Sequence, residues 1–422
     1  MREMKDSGQT WLGAIPAKWD QSTIGSLYTL RNEKVSDRDY PPLSVTMKGV
    51  VPQLDTAAKT DSHDDRKLVK KGDFAINSRS DRRGSCGISN YDGSVSLINT
   101  ILTPREEMNP DYYNWVFHTA QFADEFYRWG HGIVDDLWTT RWQEMKNIVV
   151  AVPSLDEQEL IAETISSEVT KVDALIANQE AQIEKLKQYK QSLITEVVTK
   201  GLDPDAPMKD SGNPWFPTIN SKYKLTRVGL HFDIILGKML CPIQLDTTYT
   251  LEPYYCAADV HFDGLSDSKK TMWFSPLEKE TYLVKDGDLL VVEGGAGAGG
   301  CAIVIKQDNP TYIQNSVMIV RPKRSSDIRF LRYLIELLVK SGYIDFVCNK
   351  ATIPHFTKDK LSSVPLILPD LYDQVVLADY LDDKTSKIDA IISTKRVKIE
   401  TLTNYKRSLI YEYVTGKKEV EG

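Results

Sequence analysis

Two long segments of the chain place apolar residues at alternating steps of three and four. In the first segment they are Ile165, Val169, Val172, Ile176, Ile183, Leu186, Leu193 and Val197. In the second they are Leu381, Ile388, Ile392, Ile399, Leu402, Leu409 and Tyr413, with Thr385 at one further position. This spacing is the heptad pattern of helices that pack as a coiled coil. It predicts two long helices that pair within the chain, each roughly 65–70 Å long at about 1.5 Å per residue.

The two predicted seams carry polar residues at matching places. Gln179 matches Lys395, and Lys190 matches Lys406. A buried polar residue can fix the register of paired helices, so we expect these positions to set it. At the start of the first helix, Ser154 with Glu157 fits a capping box.

The chain is two copies of one unit. The box MKDSG stands at 4–8 and again at 208–212, and YKQSLITEVVT (189–199) matches YKRSLIYEYVT (405–415). Each copy has an opening box, a block of its own and a long helix. The predicted organisation is a first box (1–19), a first block (20–152), a first long helix (153–200), a linker with the second box (201–223), a second block (224–368), a second long helix (369–416) and a tail (417–422).

Each block has the pattern of a mixed α/β domain. A Gly-Asp turn leads into a strand in KKGDFAINSRS (70–80) and in VKDGDLLVVEGG (284–295). A glycine-containing loop with Cys86 or Cys301 comes next, then a second strand and a helical segment, 109–127 or 326–347. The predicted fold class is α+β, with two globular α/β domains and two long helices.

Candidate recognition residues lie in the loop after the first of these strands. The first block has a basic cluster made of Arg66, Lys67, Lys70, Lys71, Arg79, Arg82 and Arg83. Within it, arginine forks next to short donors are typical of guanine and phosphate recognition, although a solvated charged turn has the same composition. The first-block candidates for DNA contact are Asn77, Ser78, Arg79, Ser80, Arg82 and Arg83.

The second block has glycines at the same place, in EGGAGAGGC (293–301). Glycine allows the backbone to approach a ligand closely, or simply makes a flexible turn. Near the end of each block, HGIVDDLW (131–138) aligns with NKATIPHF (349–356). The second-block candidates are Gly294, Gly295, Lys350, Thr352 and His355, and an ordinary loop is the alternative for the last three.

Composition narrows the class of protein. The 422 residues carry a net charge of −7, and the five cysteines and six histidines are scattered, so no metal site and no disulfide framework is indicated. No apolar run is long enough for a membrane span, and we expect a cytoplasmic protein.

GAGAGG (295–300) fits a dinucleotide fingerprint, but a strand pattern follows it where a helix is required. NPDY (109–112) departs from the motif of amino-methyltransferases, so we predict no catalytic residue.

The repeated box, the helix starts Pro153-x-Leu155-x-x-Gln158 and Pro369-x-Leu371-x-x-Gln374, and the exit TKGLDP (199–204) occur together. As a set they resemble the specificity subunits of type I restriction–modification systems, over essentially the whole chain. The resemblance implies two target-recognition domains, each binding half of a bipartite, asymmetric site in double-stranded DNA, and two long helices packed antiparallel as a spacer.

The same resemblance implies partners and cofactors. Two methyltransferase subunits would dock on the chain, with two restriction subunits as optional further partners and no membrane. The chain itself would be non-catalytic and hold no cofactor, whereas S-adenosylmethionine, ATP and Mg would serve the partner subunits. Two other classes stay open from the residues alone: a coiled-coil scaffold that joins two proteins without reading DNA, and a methyltransferase or nuclease with unrecognised motifs. Salt-dependent duplex binding and methyl transfer by the isolated chain discriminate them.

Overall fold

The computed structural model describes residues 2–53, 63–105, 108–132, 138–266, 270–307, 309–323, 325–348 and 354–420, except for the side chain of Ser80. The chain divides into two compact units, Met1–Glu180 with Lys395–Gly422 and Ala181–Thr394. Each unit contains sheets, short helices and part of both long helices. The predicted mixture of helices and strands with two long helices is therefore confirmed.

The described elements of the first half of the chain are β1 (Met4–Asp6), β2 (Ala14–Pro16), β3 (Asp20–Thr23), α1 (Ile24–Leu27), β4 (Tyr28–Arg31), β5 (Lys34–Val35), β6 (Leu43–Thr46), β7 (Gly49–Pro52), β8 (Arg66–Val69), β9 (Phe74–Asn77), β10 (Cys86–Ile88), β11 (Gly93–Ser96), β12 (Asn99–Pro104), α2 (Pro110–Phe117), α3 (Ala120–Arg128), α4 (Trp142–Met145), β13 (Val149–Val152) and the long helix α5 (Leu155–Lys200).

Those of the second half are β14 (Met208–Asp210), β15 (Thr218–Asn220), β16 (Lys224–Arg227), α6 (Val228–His231), β17 (Phe232–Leu236), β18 (Thr250–Tyr255), β19 (Val260–His261), β20 (Gly264–Leu265), β21 (Lys270–Phe274), α7 (Pro276–Tyr282), β22 (Leu289–Val292), β23 (Cys301–Ile303), β24 (Tyr312–Ile313), β25 (Val317–Pro322), α8 (Ile328–Lys340), α9 (Tyr343–Val347), α10 (Lys358–Ser363), β26 (Pro365–Leu368) and the long helix α11 (Leu371–Val414).

A four-stranded antiparallel sheet has the same strand order in both units. It runs β4-β12-β9-β10 in the first and β17-β25-β22-β23 in the second. Cys86 and Cys301, which the sequence pattern placed in loops, are buried at the starts of β10 and β23. Burial raises the pKa of the Cys86 thiol to about 12, so this cysteine is an uncharged core residue.

Helices cover one face of each sheet. Phe117 of α2 packs on Phe74 of β9 with ring centroids 4.8 Å apart, and it also contacts Phe122 of α3 at 4.6 Å. Each segment that the pattern predicted as helical contains two helices. Thr119 starts α3 by accepting a hydrogen bond from the Phe122 N–H, and Gly342, at φ +86°, separates α8 from α9.

The repeated MKDSG box folds into the same turn twice. The carboxylate of Asp6 accepts the Gly8 N–H at 3.0 Å, and that of Asp210 accepts the Gly212 N–H at 2.8 Å. Both glycines have φ +68°, a left-handed conformation that favours glycine. The lysine of each box then donates to a backbone carbonyl 14 residues later, of Trp19 or Tyr223, at 2.6 Å. The box is therefore a structural motif.

Each long helix ends against the box that shares its unit. α5 is followed by Gly201 at φ +89°, and α11 by Gly416 at φ +68°. A Cβ atom at Gly201 would lie 2.5 Å from the Tyr223 hydroxyl, and one at Gly416 would lie 2.8 Å from the Trp19 ring. Glycine is required at both helix ends because of the backbone angle and the close aromatic neighbour.

The capping box predicted at the start of α5 forms only in part. The Glu157 N–H donates to Ser154 Oγ at 3.4 Å, as expected. The Glu157 carboxylate, however, accepts hydrogen bonds from Arg2 at 2.6 Å and from the Trp19 indole at 2.7 Å. A charged and an indole donor are stronger partners than the backbone amide, so Glu157 fastens the first box to the helix instead.

Both long helices contribute to the core of each unit. In the first unit Ile165 and Val169 of α5 share a cluster with Leu409 of α11, and in the second Ile194 of α5 shares one with Leu381 of α11. The seam residues predicted from the heptads are buried or half-buried.

The polar seam residues pair between the helices within each unit. Lys190 contacts Asp389 at 2.7 Å, and Lys406 contacts Asp173 at 2.6 Å. Lys190 and Lys406 occupy equivalent positions of the repeat, 216 residues apart, and so do Asp173 and Asp389. In the first unit, Lys395 donates to buried Gln179 at 3.3 Å. The two helices are antiparallel in the first unit, because Asp173 contacts Lys406 whereas Gln179, later in α5, contacts Lys395, which is earlier in α11.

The glutamine of each Pro-x-Leu-x-x-Gln motif joins its long helix to the block. Gln158 Oε1 accepts the Asn109 N–H at 2.9 Å, while its Nε2 donates to the Pro153 carbonyl at 2.9 Å. In the second unit, Gln374 makes the same two bonds at 2.9 Å, with the Asp327 N–H and the Pro369 carbonyl. Both glutamines are buried.

We predict that Gln158→Ala and Gln374→Ala each lower the free energy of unfolding by about 1–3 kcal/mol, because a buried N–H and a buried carbonyl lose their partners. Urea denaturation followed by circular dichroism measures the change. Gln188→Ala, an exposed position on α5, is the matched control and should have little effect. Equal stability of all three variants would show that the glutamines are not anchors.

Candidate nucleic-acid interface

The predicted contact residues of the first block lie at one end of its four-stranded sheet. β9 ends at Asn77, next to the start of β12. The Ser78 N–H donates to the Ile98 carbonyl at 3.2 Å, and the Ser78 carbonyl accepts the Thr140 N–H at 3.0 Å. We call this end of each sheet, with the loops attached to it, the loop end.

Two of these residues face inward. Asn77 is buried and accepts the Arg79 N–H at 3.0 Å, and buried Ser78 shares a 3.0 Å hydrogen bond with Thr100. The Arg79 carbonyl in turn accepts the Tyr127 hydroxyl at 2.9 Å. Asn77 and Ser78 therefore position the Arg79 backbone, and neither presents its side chain to a ligand.

Arg82 and Arg83 are exposed but have acidic neighbours, whereas Arg79 is half-buried. Arg83 pairs with Asp124 and stacks over the Tyr127 ring, 5.5 Å from its centroid. Arg82 lies 3.6 Å from Asp81. Exposed pairs of this kind contribute about 0–1 kcal/mol, so a phosphate or a base edge can displace them. The Ser80 side chain lies outside the described residues.

The basic cluster predicted over residues 66–83 does not form one surface. Arg66 is 3% exposed and donates to the Ser94 hydroxyl at 2.8 Å and carbonyl at 3.0 Å, whereas the Arg82 side chain is 68% exposed. Lys67 donates to the Asn99 carbonyl at 2.7 Å, and burial lowers its pKa. Arg66 and Lys67 therefore bind neighbouring parts of the block and have a structural role. The candidate surface is smaller than the sequence suggested.

The second block brings three of its candidates together at the loop end. Gly294 pairs with His355 in a backbone bridge, and the Gly295 N–H donates to the Pro354 carbonyl at 3.1 Å. His355 Nδ1 lies 3.4 Å from Glu293 Oε2. A Cβ atom at Gly294 would lie 3.3 Å from the His355 ring, so a larger residue would crowd it. Lys350 and Thr352 lie outside the described residues.

The same bridge occurs in the first unit, and it corrects the alignment of the two blocks. Arg79 pairs with Thr139 there as Gly294 pairs with His355. His355 therefore corresponds to Thr139, whereas the sequence alignment placed it opposite Leu137. The residues around the bridge differ between the two blocks and share no side-chain pattern. The two-residue error in the alignment therefore could not be seen in the sequence.

Sequence reasoning missed a polar group at the loop end of the second block. Gln314 and Asn315 precede β25, and the amide of Gln314 donates to the Asn315 side chain. The Asn315 N–H donates to the Lys238 carbonyl at 2.8 Å, which brings the loop after β17 to the same place. The repeat held a signal: Asn315-Ser316 stands 216 residues after Asn99-Thr100, the corresponding pair in the first block.

The loop after β17 adds an apolar segment. Lys238 is buried beside Glu278 at 2.5 Å and lies over the rings of Tyr249 and Phe274 at 5.0 and 5.3 Å. Beyond it, four aliphatic side chains are exposed: Met239, Leu240, Ile243 and Leu245. Contiguous exposed apolar residues on a monomer are typical of an interaction surface.

The two sequence motifs with catalytic associations have structural roles. GAGAGG joins β22 to β23, and a dinucleotide fingerprint would open a helix there. In NPDY, the Asn109 side chain caps α2 by accepting the N–H groups of Asp111 and Tyr112. Within the described ranges no three His, Cys, Asp or Glu side chains are grouped for a metal ion, and no helix is both long and apolar enough to span a membrane.

Comparison with known proteins agrees with this architecture. Residues 252–401 match the family model of the type I restriction modification DNA specificity domain. The MjaVIII type I restriction enzyme specificity subunit of Methanocaldococcus jannaschii is 27% identical over 294 residues, 65% of this chain. The match spans 63% of that relative's length.

Two solved structures share the fold. A chain from a study of complex assembly and conformational transition of the type I R-M system matches with a TM-score of 0.73 at 14% identity, over 96% of this chain and 99% of that one. The HsdS subunit of Thermoanaerobacter tengcongensis matches with a TM-score of 0.50 at 16% identity, over 96% and 98%. The family match over residues 252–401, the curated relative and the shared fold confirm the resemblance to type I restriction–modification specificity subunits that the repeated boxes predict.

Proposed function

We propose that the chain is the sequence-specific DNA-recognition subunit of a type I restriction–modification complex. Each block reads one half of a bipartite, asymmetric site, and the chain itself performs no catalysis. The observation that carries the proposal is the loop end, which has one backbone arrangement in both units and unlike side chains. A shared scaffold with unlike contact residues is what two unlike half-sites require.

The side chains at the two loop ends suit different bases. Arg79 and Arg82 offer bidentate donors for guanine N7 and O6, or for phosphates. Gln314 and Asn315 are amides, the side chains that pair bidentately with adenine. The apolar segment 239–245 fits contact with thymine methyl groups. We infer that the two half-sites differ in sequence.

The repeated contacts give the two units a similar frame, which in this proposal presents similar docking surfaces to the partners. The box turn, the glutamine anchors and the lysine–aspartate pairs recur at equivalent positions, and two identical methyltransferase subunits would need two similar surfaces. The solved relative from a study of R-M complex assembly supports this view. S-adenosylmethionine, ATP and Mg would then belong to the methyltransferase and restriction subunits, and a cytoplasmic location would follow from the partners and the substrate.

The first prediction concerns the arginine loop. In the complex with its methyltransferase subunits, Arg79→Ala and Arg82→Ala should each weaken specific duplex binding by about 1–3 kcal/mol for a lost base contact, or about 5- to 150-fold. Arg396→Ala, an exposed arginine on α11, is the control and should bind like the parent. Fluorescence anisotropy over a salt series measures the affinities. Tight binding of the methyltransferase subunits without any salt-sensitive duplex affinity would favour the scaffold function instead.

The second prediction concerns the independence of the two blocks. Residues 20–152 have their two ends side by side, because Asp20 pairs with Val152 across β3 and β13. We therefore expect that exchanging this block for that of another family member changes one half-site and preserves the other. Sequencing of methylated adenines in cells that carry the exchanged gene measures both. A change in both half-sites would contradict separate reading.

The third prediction concerns spacing. One heptad inserted after Glu180 in α5 and one after Thr394 in α11 add about 10 Å of helix, which corresponds to about three base pairs at 3.4 Å each. We expect a longer spacer between unchanged half-sites, again read from methylated positions. An unchanged spacer in a folded, active complex would show that the helices do not set the distance.

A further inference from the structure

In both units the first helix after β12 or β25 meets a long helix, and in the first unit a groove lies at this junction. The glutamine anchors align them: Asn109 of the α2 start bonds Gln158, and Asp327 of the α8 start bonds Gln374. From these anchors, Asp111 corresponds to Arg329, each standing two residues further along its helix.

In the second unit an arginine of the chain occupies the equivalent junction. The Arg329 guanidinium contacts Asp379 at 2.6 Å and Asp382 at 3.0 Å, both on α11, and Asp327 at 2.8 Å. Hydrogen bonding to Asp327 is the main cause that raises the pKa of Arg329. The guanidinium therefore joins the block to the long helix through Asp379 and Asp382, and Asp327 holds it from within the block.

In the first unit the arginine is replaced by an acid and the groove is open. It has a volume of about 440 Å³, and Asp111, Glu159 and Glu163 line it together with Asn114 and Trp115. Glu163 corresponds to Asp379, one of the carboxylates that hold Arg329. Among the described residues, none of these three acids forms an ion pair.

A buried acceptor in the same groove also lacks a donor. Asn114 Oδ1 is inaccessible to solvent and receives no hydrogen bond from any described residue. Such an atom costs free energy unless a donor reaches it. The open groove thus combines unpaired carboxylates with the ring of Trp115, which can stack on a planar cation, and the Asn114 oxygen lies beneath its surface.

We propose that this groove binds an arginine side chain of a partner protein, in the place that Arg329 occupies in the second unit. Resting on the proposed function, the partner is the methyltransferase subunit. DNA is excluded by the like charge of the groove. A metal ion is disfavoured because the acids, within the described residues, are not grouped as metal ligands. Arginine suits the groove better than lysine because its planar fork can reach several acceptors at once.

The two docking sites for the partner are then unequal. The second unit satisfies its groove internally, and only the first unit takes an arginine from the partner. We expect the two methyltransferase subunits to bind with different affinities, although the surrounding contacts repeat.

The test places an arginine of the chain itself in the groove of the first unit. The full-length chain is titrated with the methyltransferase subunit of the same system by isothermal titration calorimetry, with sedimentation to count bound copies. Asp111→Arg should weaken one of the two binding events by about tenfold or more and leave the other unchanged, because the new side chain occupies the groove. Asp156→Arg, the same charge change at an exposed position of α5, is the control and should bind like the parent.

Two further variants keep the test decisive. Glu163→Gln retains the shape of the groove and removes a charge, so it should weaken the same event even if Asp111→Arg folds poorly. Arg329→Asp should open the second groove and make the two affinities more alike. Two equal affinities in the parent, or full binding by both Asp111→Arg and Glu163→Gln, would overturn the inference. Absence of any methyltransferase binding by the parent would instead overturn the proposed function.

Discussion

A buried glutamine at the start of each long helix fixes how that helix meets the block. Gln158 and Gln374 each bond a helix amide of the block with one end of the side chain and a proline carbonyl with the other. Because the amide group is planar and both ends are used, the side chain fixes direction as well as distance. The start of α2 or α8 is thereby fixed against the first turn of the long helix, and in the first unit the groove lies between them.

The charges of the chain act by position more than by number. A net charge of −7 is unfavourable for a protein that approaches phosphates, yet the field at a surface depends on which charges face it. Arg66 and Lys67 form hydrogen bonds to neighbouring strands of the block, and Arg83 forms an ion pair with Asp124. Of the predicted cluster, Arg79 and Arg82 are the arginines at the loop end that stay available to a ligand, Arg82 next to Asp81. A small set of such cations is consistent with reading bases, and a larger one would favour binding to any duplex.

The repeat separates what must be alike from what is free to differ. Box turns, terminal glycines, glutamine anchors and lysine–aspartate pairs occur twice with almost the same distances. The loop ends differ in nearly every side chain but keep the bridges Arg79–Thr139 and Gly294–His355. The acidic groove breaks this division, because it lies within the repeated frame and still differs between the units. This difference inside an otherwise repeated frame is the basis for the proposal that the partners meet two unequal sites.

The sequence by itself determined the repeat, the two long helices, the seam residues and the resemblance to type I specificity subunits. These features depend on local periodicity and on motifs that recur, which are visible without coordinates. The tertiary structure decided which members of the basic cluster face solvent, because strand alternation turns Arg66 inward and only cross-strand partners show it. It also decided that Gln314 and Asn315 join Gly294 and His355, since residues 20 to 60 positions apart meet only when the sheet forms. The open groove beside Asp111 could not be predicted for the same reason. It is interpreted from the contacts of Arg329, which join two helices that are distant in the chain.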